Sequence, residues 1–378
     1  MTSVTADAVE AALSTVEDPE IRRPITELGM VDAVTIGEGG SVAVRVLLTV
    51  SGCPMRSEIV DRVTRAVETV PGVSSVEVEL GVMTDDQRQT MREGLRGDGR
   101  DIVFNRPGNL TRIYAVASGK GGVGKSSITV NLAAALAERG LSVGLLDADI
   151  YGHSVPRMLG LGRPPTVVDG LLLPPEGYGV RAISMLPFKP GGTAEPVAFR
   201  GPMLHRALEQ FLTDVWWGDL DVLLLDLPPG TGDVAISCAQ LLPQSELIVV
   251  TTPQQAAAEV AVRAGMLATQ TKQRVAGVIE NMSAFACPHC GEPIDMFGAG
   301  GGDTVAATLS QAFGAPVPLL GRVPFDPRLR EGGDDGRPLV VTEPDSEAAA
   351  AVSDIAGRLA AKKRGLAGLD LGVTPAGR

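Results

Sequence analysis

Eight residues constrain this chain more than any others: Gly119-Lys120-Gly121-Gly122-Val123-Gly124-Lys125-Ser126, which satisfies the pattern G-x-x-x-x-G-K-S/T. They stand directly after the apolar run RIYAVAS and directly before SSITVNLAAALAER, which read as a buried strand and a helix. In that setting the glycines let backbone N–H groups curl around phosphate oxygens, and the helix N-terminus adds the positive end of its dipole. Lys125 is then placed to reach the β and γ phosphates, and the Ser126 hydroxyl to bind Mg2+. The expected nucleotide-binding segment is Ser118, Gly119, Lys120, Gly121, Gly122, Val123, Gly124, Lys125, Ser126 and Ser127.

From Thr111 onward, RIYAVAS, SVGLLDAD, DVLLLDLPP, ELIVVTTP, RVAGVIENM and PVPLLGRVP alternate with helical stretches such as 125–139 and 253–272. Near-continuous apolar runs belong to strands covered on both faces. Their alternation with helices predicts an α/β domain with a doubly wound, mostly parallel sheet over residues 111–364. Residues 1–84 read as a small α+β domain: a helix over 5–15, the strand VDAVTI, the alternating SVAVRVLLTV, a helix over 55–69 and the strand VSSVEVEL. The polar stretch 85–110 reads as a linker holding a short helix, and 365–378 as a flexible tail.

Acids at strand ends are the natural companions of a phosphate loop. DVLLLDLPPGTGD supplies Asp226, suited to hold the metal's water shell, followed by a Pro/Gly-rich segment ending at Asp233 that suits sensing of the γ-phosphate; SVGLLDADIYG supplies Asp147 and Asp149. Composition argues against other partners. With 33 Lys+Arg against 45 Asp+Glu, the net charge of −12 repels nucleic-acid backbones and anionic lipid, so neither is expected as a partner. The acidic first twenty residues carry no secretory signal pattern, and no apolar run is long enough for a membrane span, so the expected location is the cytoplasm.

The cysteines are Cys53, Cys238, Cys287 and Cys290. Cys287-Pro288-His289-Cys290-Gly291 is a C-P-x-C-G knuckle, which turns two thiolates to one side and suits tetrahedral metal or two corners of a cluster. His289 reads as a tolerated knuckle residue. A four-thiolate site then needs either both subunits of a dimer or the remote Cys53 or Cys238. Cys238, in the apolar helical run VAISCAQLL, reads better as a buried structural thiol. Cys53 lies at a strand-to-helix junction, where a helix N-terminus favours the thiolate; an inert buried thiol fits as well. Zinc and an iron-sulfur cluster both suit the knuckle.

The doubled lysine of GKGGVGKS resembles the deviant Walker A of the ATPases that include ParA, MinD and the nitrogenase iron protein. Together, DADIYGHSVP, DLPPGTGDVAIS, VIENMSAFACPHCGE and VPFDPRLREGGDDGRPLV resemble the Mrp/ApbC type of iron-sulfur carrier ATPase over about residues 107–364. The resemblance implies a homodimer that sandwiches ATP, with Lys120, Lys125 and Asp149 catalytic, Lys120 crossing to the partner's nucleotide and Asp149 orienting the attacking water. It implies Mg2+ at Ser126 and Asp226, adenine at Asn281, and a 4Fe-4S cluster bridging two copies of Cys287 and Cys290, passed to apo-proteins as ATP is hydrolysed. His153 departs from it, standing where that family usually has proline. EDPE (17–20) and LLTVSGCPM (47–55) resemble the small domain of SufT-like iron-sulfur maturation factors. The competing expectation is a ParA- or MinD-like positioning switch with the C-x-x-C as a structural zinc site.

Overall fold

The computed structural model describes residues 4–96, 101–149, 152, 154–184, 201–287 and 289–361. His153 and the tail 365–378 lie outside the described residues. Two compact units emerge: residues 1–100 with 165–174 and 214–218, and residues 101–164, 175–213 and 219–378.

In the first unit the sheet order is Val31–Ile36, Ser41–Leu48, Ser75–Val82, the first pair antiparallel and the second parallel. Helices Ala6–Leu13 and Arg56–Glu68 carry Val9, Leu13, Ile59, Val63 and Val67 at three- to four-residue spacing, which lays one apolar stripe of each helix against Val42, Val44 and Val46. Asp85–Arg96, expected as part of a linker, is a helix belonging to this unit. Its start is a capping box: Thr84 Oγ1 accepts from Gln87 N at 3.3 Å while Gln87 Oε1 accepts from Thr84 N at 2.9 Å.

Residues 165–174 and 214–218, expected within the second domain, belong to the first unit. The antiparallel hairpin Thr166–Val168 with Leu171–Leu173 adds Val168, Leu171 and Leu173 to the same apolar core. The Trp216 indole donates to Ile21 O at 2.9 Å, and Thr166 Oγ1 donates to Glu20 Oε1 at 3.0 Å. The EDPE stretch is a local turn in which Asp18 Oδ1 accepts from Glu20 N at 2.9 Å and Ile21 N at 2.8 Å. Burial raises the Asp18 carboxyl above its usual range, and those two N–H donors oppose the rise.

The second unit is built on an eight-stranded sheet. From edge to edge the strands are Leu319–Pro324, Arg274–Ser283, Glu246–Thr251, Arg112–Ser118, Val222–Asp226, Val143–Asp147, Val180–Ser184 and Glu176–Gly177. All neighbours run parallel except the last pair. Val143–Asp147 and Val222–Asp226 are buried at every position, as strands covered on both faces must be. The helix Lys125–Glu138 is buried around most of its girth, and its neighbour Glu347–Ala361 contributes Val352, Ile355 and Leu359 to the same core. Arg112 Nη1 donates to Leu359 O at 2.7 Å and Ala360 O at 3.0 Å, placing a cation against the carbonyl end of that last helix. Among the described residues no helix is long and apolar enough to cross a membrane.

Candidate functional site

The loop between the strand Arg112–Ser118 and the helix Lys125–Glu138 is shaped by two demands on its glycines. Gly122 and Gly124 both adopt φ of +79°, in the left-handed region where a side chain is strained. Gly119 answers to crowding: a Cβ there would lie 2.3 Å from the Val260 carbonyl carbon, because the loop seats on the helix Gln255–Thr271. Backbone bonds tie the neighbouring strand ends to it, from Gly230 N to Ser118 O at 2.8 Å, Leu227 N to Val116 O at 3.1 Å and Ala148 N to Asp226 O at 3.0 Å. Ser118 Oγ donates to Lys120 O at 3.1 Å, Val123 is buried, and Asn131 Nδ2 donates to Ser127 O at 2.9 Å.

Parallel register places Asp226 beside Asp147 on adjacent strands. Asp226 is fully buried; its Oδ2 accepts from Lys125 Nζ at 2.8 Å and from Ser126 Oγ at 2.6 Å, and Thr129 Oγ1 lies 2.9 Å from its Oδ1. Lys125 Nζ is also 3.1 Å from Ser126 Oγ and 3.9 Å from Asp149 Oδ2. Asp147 Oδ1 accepts from Asp149 N at 3.2 Å, while its buried Oδ2 has no hydrogen-bond partner. Burial, and next the charge of Asp226, push the Asp147 carboxyl up to about 8 against the pull of Lys125. Asp149 Oδ1 accepts from Gly152 N at 3.0 Å. A hydroxyl and a carboxylate side by side with a lysine suit Mg2+, which keeps several waters and takes few protein ligands alongside phosphate. Asp233 opens the helix Asp233–Leu241 and is exposed.

Asn281, on the strand Arg274–Ser283, is buried and donates from Nδ2 to Val123 O at 2.9 Å, leaving Oδ1 without a partner. It borders a cavity of about 310 Å³ lined also by Gly122, Gly124, Ser127, Met282 and Phe325. The amide oxygen, itself buried, is an acceptor without a donor on a residue that lines this cavity. Lys120 Nζ donates to Gln254 Oε1 at 3.1 Å.

The cysteine pair sits just past the same strand, in a hairpin pairing Phe285–Ala286 with Pro293–Ile294. Cys287 N donates to Glu292 O at 2.8 Å, Gly291 N donates to Cys287 O at 2.9 Å, and Gly291 takes a φ of +75° to close the turn. Cys287 is half-buried and Cys290 exposed. The backbone amides of His289 and Cys290, and then the Cys290 thiol, hydrogen-bond to Cys287 and lower its thiol below the usual range. Pro288 lies outside the described residues. Phe325, which lines the nearby cavity, stacks edge-on with Phe285 and Phe297 at centroid distances of 5.9 Å.

Among the described residues no third His, Cys, Asp or Glu joins the pair in a metal-holding group. Cys238 is fully buried and burial alone pushes its thiol up to about 12; Cys53 is buried in the core of the first unit. Among the described residues neither joins Cys287 and Cys290 in a metal-holding group. Two residues of interest escaped the motif reading. Thr129 carries a signal only in its position one helical turn beyond Lys125; Gln254 carries none in the sequence alone.

The family profile described as "NUBPL iron-transfer P-loop NTPase" matches residues 109–360, and one described as "Iron-sulfur cluster assembly protein" matches residues 6–80. A protein of Mycobacterium tuberculosis named "Iron-sulfur cluster carrier protein" is 60% identical over 373 residues, 98% of this chain and 97% of its own length. A Deinococcus radiodurans protein of the same name is 42% identical over 356 residues, 94% of each. Among solved structures, a nucleotide-binding protein of Archaeoglobus fulgidus in complex with ADP superposes with a TM-score of 0.51 at 33% identity, over 70% of this chain and 95% of that one. The chain thus belongs to the family of NUBPL-type iron-transfer P-loop NTPases and carries an iron-sulfur cluster assembly domain N-terminal to its NTPase domain.

Proposed function

We propose that this chain is a cytoplasmic, ATP-hydrolysing carrier that holds a 4Fe-4S cluster across a homodimer and delivers it to apo-proteins. One observation carries the reading: the strand Arg274–Ser283 presents Asn281 to the phosphate loop and, within a few residues, runs into the hairpin bearing Cys287 and Cys290. Nucleotide and thiolates share one element. A chain with two exposed or half-exposed thiolates supplies half of a four-thiolate cage, and a second copy supplies the rest.

In this reading Lys125 exchanges Asp226 for the β and γ phosphate oxygens, and Ser126 and Asp226 hold Mg2+, which when bound neutralises developing charge on those phosphates. Asp149 orients the attacking water, Asn281 recognises adenine, and Lys120 leaves Gln254 to reach the partner copy's nucleotide. The segment Ser118–Ser127 wraps the phosphates with its backbone amides. ATP then tightens the dimer, hydrolysis loosens it, and a cluster strung across the interface is held or released accordingly.

The test is cluster transfer to an apo-acceptor under anaerobic conditions, comparing the wild type with Lys125→Ala. ATP-stimulated transfer that disappears in the variant supports the reading. Equal transfer with and without functional nucleotide binding overturns it.

A further inference from the structure

We propose that Thr129 is a positioning residue for the metal-holding carboxylate, its hydroxyl deciding which oxygen of Asp226 faces the phosphates. The assignment rests on the reading of Ser126 and Asp226 as the Mg2+ site. Thr129 and Asp226 are both fully buried. The Thr129 Oγ1 atom lies 2.9 Å from Asp226 Oδ1 and 2.8 Å from Lys125 O, the carbonyl one turn back in its own helix. A hydroxyl has one proton, and an ionised carboxylate is a stronger acceptor than a helical carbonyl already engaged in the helix. The back-bond alone would make Thr129 an ordinary mid-helix threonine; the carboxylate on its other side makes it a clamp.

The two oxygens of Asp226 are thereby sorted. Oδ2 receives Lys125 Nζ at 2.8 Å and Ser126 Oγ at 2.6 Å, both of them groups that a metal–nucleotide complex recruits for itself. Thr129 contributes nothing to phosphate or metal. Among the described residues it is the one hydrogen-bonding partner of the Asp226 carboxylate that stays when Lys125 turns to phosphate and Ser126 to the metal. The terminal torsion of an aspartate is soft and two-fold, so a carboxylate without that fixed donor is free to turn, and its buried Oδ1 is left without a hydrogen bond. Thr129 thus keeps Oδ2 directed at the metal position through the exchange.

The experiment measures the Mg2+ dependence of ADP binding by calorimetry on the full chain, with the nucleotide-free melting midpoint as a control on folding. Thr129→Val keeps the branched shape and removes the hydroxyl; Thr129→Ser keeps the hydroxyl. We expect the Mg2+ midpoint to rise roughly three- to tenfold in Thr129→Val, ADP binding in excess chelator to be unchanged, and Thr129→Ser to restore the wild-type midpoint. Should Thr129→Val fail to fold, Thr129→Ala carries the same expectation. An unchanged midpoint in the hydroxyl-free variant, or a Thr129→Ser protein as impaired as Thr129→Val, overturns the assignment while leaving the metal site standing. Wild-type ADP binding indifferent to Mg2+ overturns both.

Discussion

The ammonium of Lys125 lies 2.8 Å from Oδ2 of Asp226, a carboxylate with no solvent exposure. The loop lysine and the strand-end acid are therefore partners before any phosphate arrives, and each keeps the other's charge tolerable inside the protein. Removing one member strands the other, which costs far more than the pair contributes.

Lys125→Ala should consequently destabilise the nucleotide-free protein by about 3 kcal/mol, the cost of a buried charge that has lost its partner. Lys125→Ala/Asp226→Ala should recover a large part of that loss. Urea denaturation of the three proteins checks it; a double variant no more stable than the single would show that the pair is not coupled.

Asn281 Oδ1 is a buried acceptor without a partner, on a residue that lines the cavity beside the phosphate loop, and in the proposed function it meets adenine. Asn281→Ala should weaken ATP binding by about 1–3 kcal/mol and GTP binding far less, because guanine carries no exocyclic amine at the equivalent ring position. Competition binding of the two nucleotides reads the ratio.

Phe325 lines the cavity that Asn281 borders and stacks on Phe285, in the first strand of the cysteine hairpin, and on Phe297 just beyond it. Each edge-on aromatic pair contributes on the order of 1 kcal/mol beyond area burial. Phe325→Ala should therefore weaken nucleotide binding and also speed loss of iron from reconstituted protein to a chelator. Loss of the first property with the second unchanged would leave the hairpin independent of that ring.

Cys238 separates from the knuckle by chemistry. Burial pushes its thiol up to about 12, against 9.0 for a free thiol, so the folded state holds the proton that the unfolded chain gives up. This contribution to stability is complete below pH 9 and declines as pH rises through the window from 9 to about 12. Cys238→Ala should flatten that alkaline decline, as read from denaturation midpoints across pH. In the folded protein at pH 8, iodoacetamide should label Cys287 and Cys290 but not Cys238.

Much of this was legible because chemistry and periodicity coincide. The phosphate loop, the acids at the ends of Val143–Asp147 and Val222–Asp226, and the knuckle all sit where strongly apolar strands stop. What escaped lacked such a signal. Val180–Ser184 carries Arg181 as its second residue, which breaks the apolar run even though every residue of the strand is buried. The hairpin 166–173 packs into the first unit although it lies in the chain far from it, and chain order cannot reveal that. The short helix expected in the polar stretch is Asp85–Arg96, opened by the Thr84 and Gln87 capping box; what the polar composition hid is that it belongs to the first unit. Thr129 looks like any helical threonine until the fold brings Asp226 to it.

In the proposed carrier two chains complete one thiolate cage. Anaerobic reconstitution followed by native mass spectrometry, with iron and acid-labile sulfide assays, tests it most directly. The expected result is a dimer carrying a single 4Fe-4S cluster, about two iron and two sulfide per chain, with the cluster absent in Cys287→Ala. A monomer that retains its full iron, or a wild-type protein whose paired thiols take up only zinc, would contradict it.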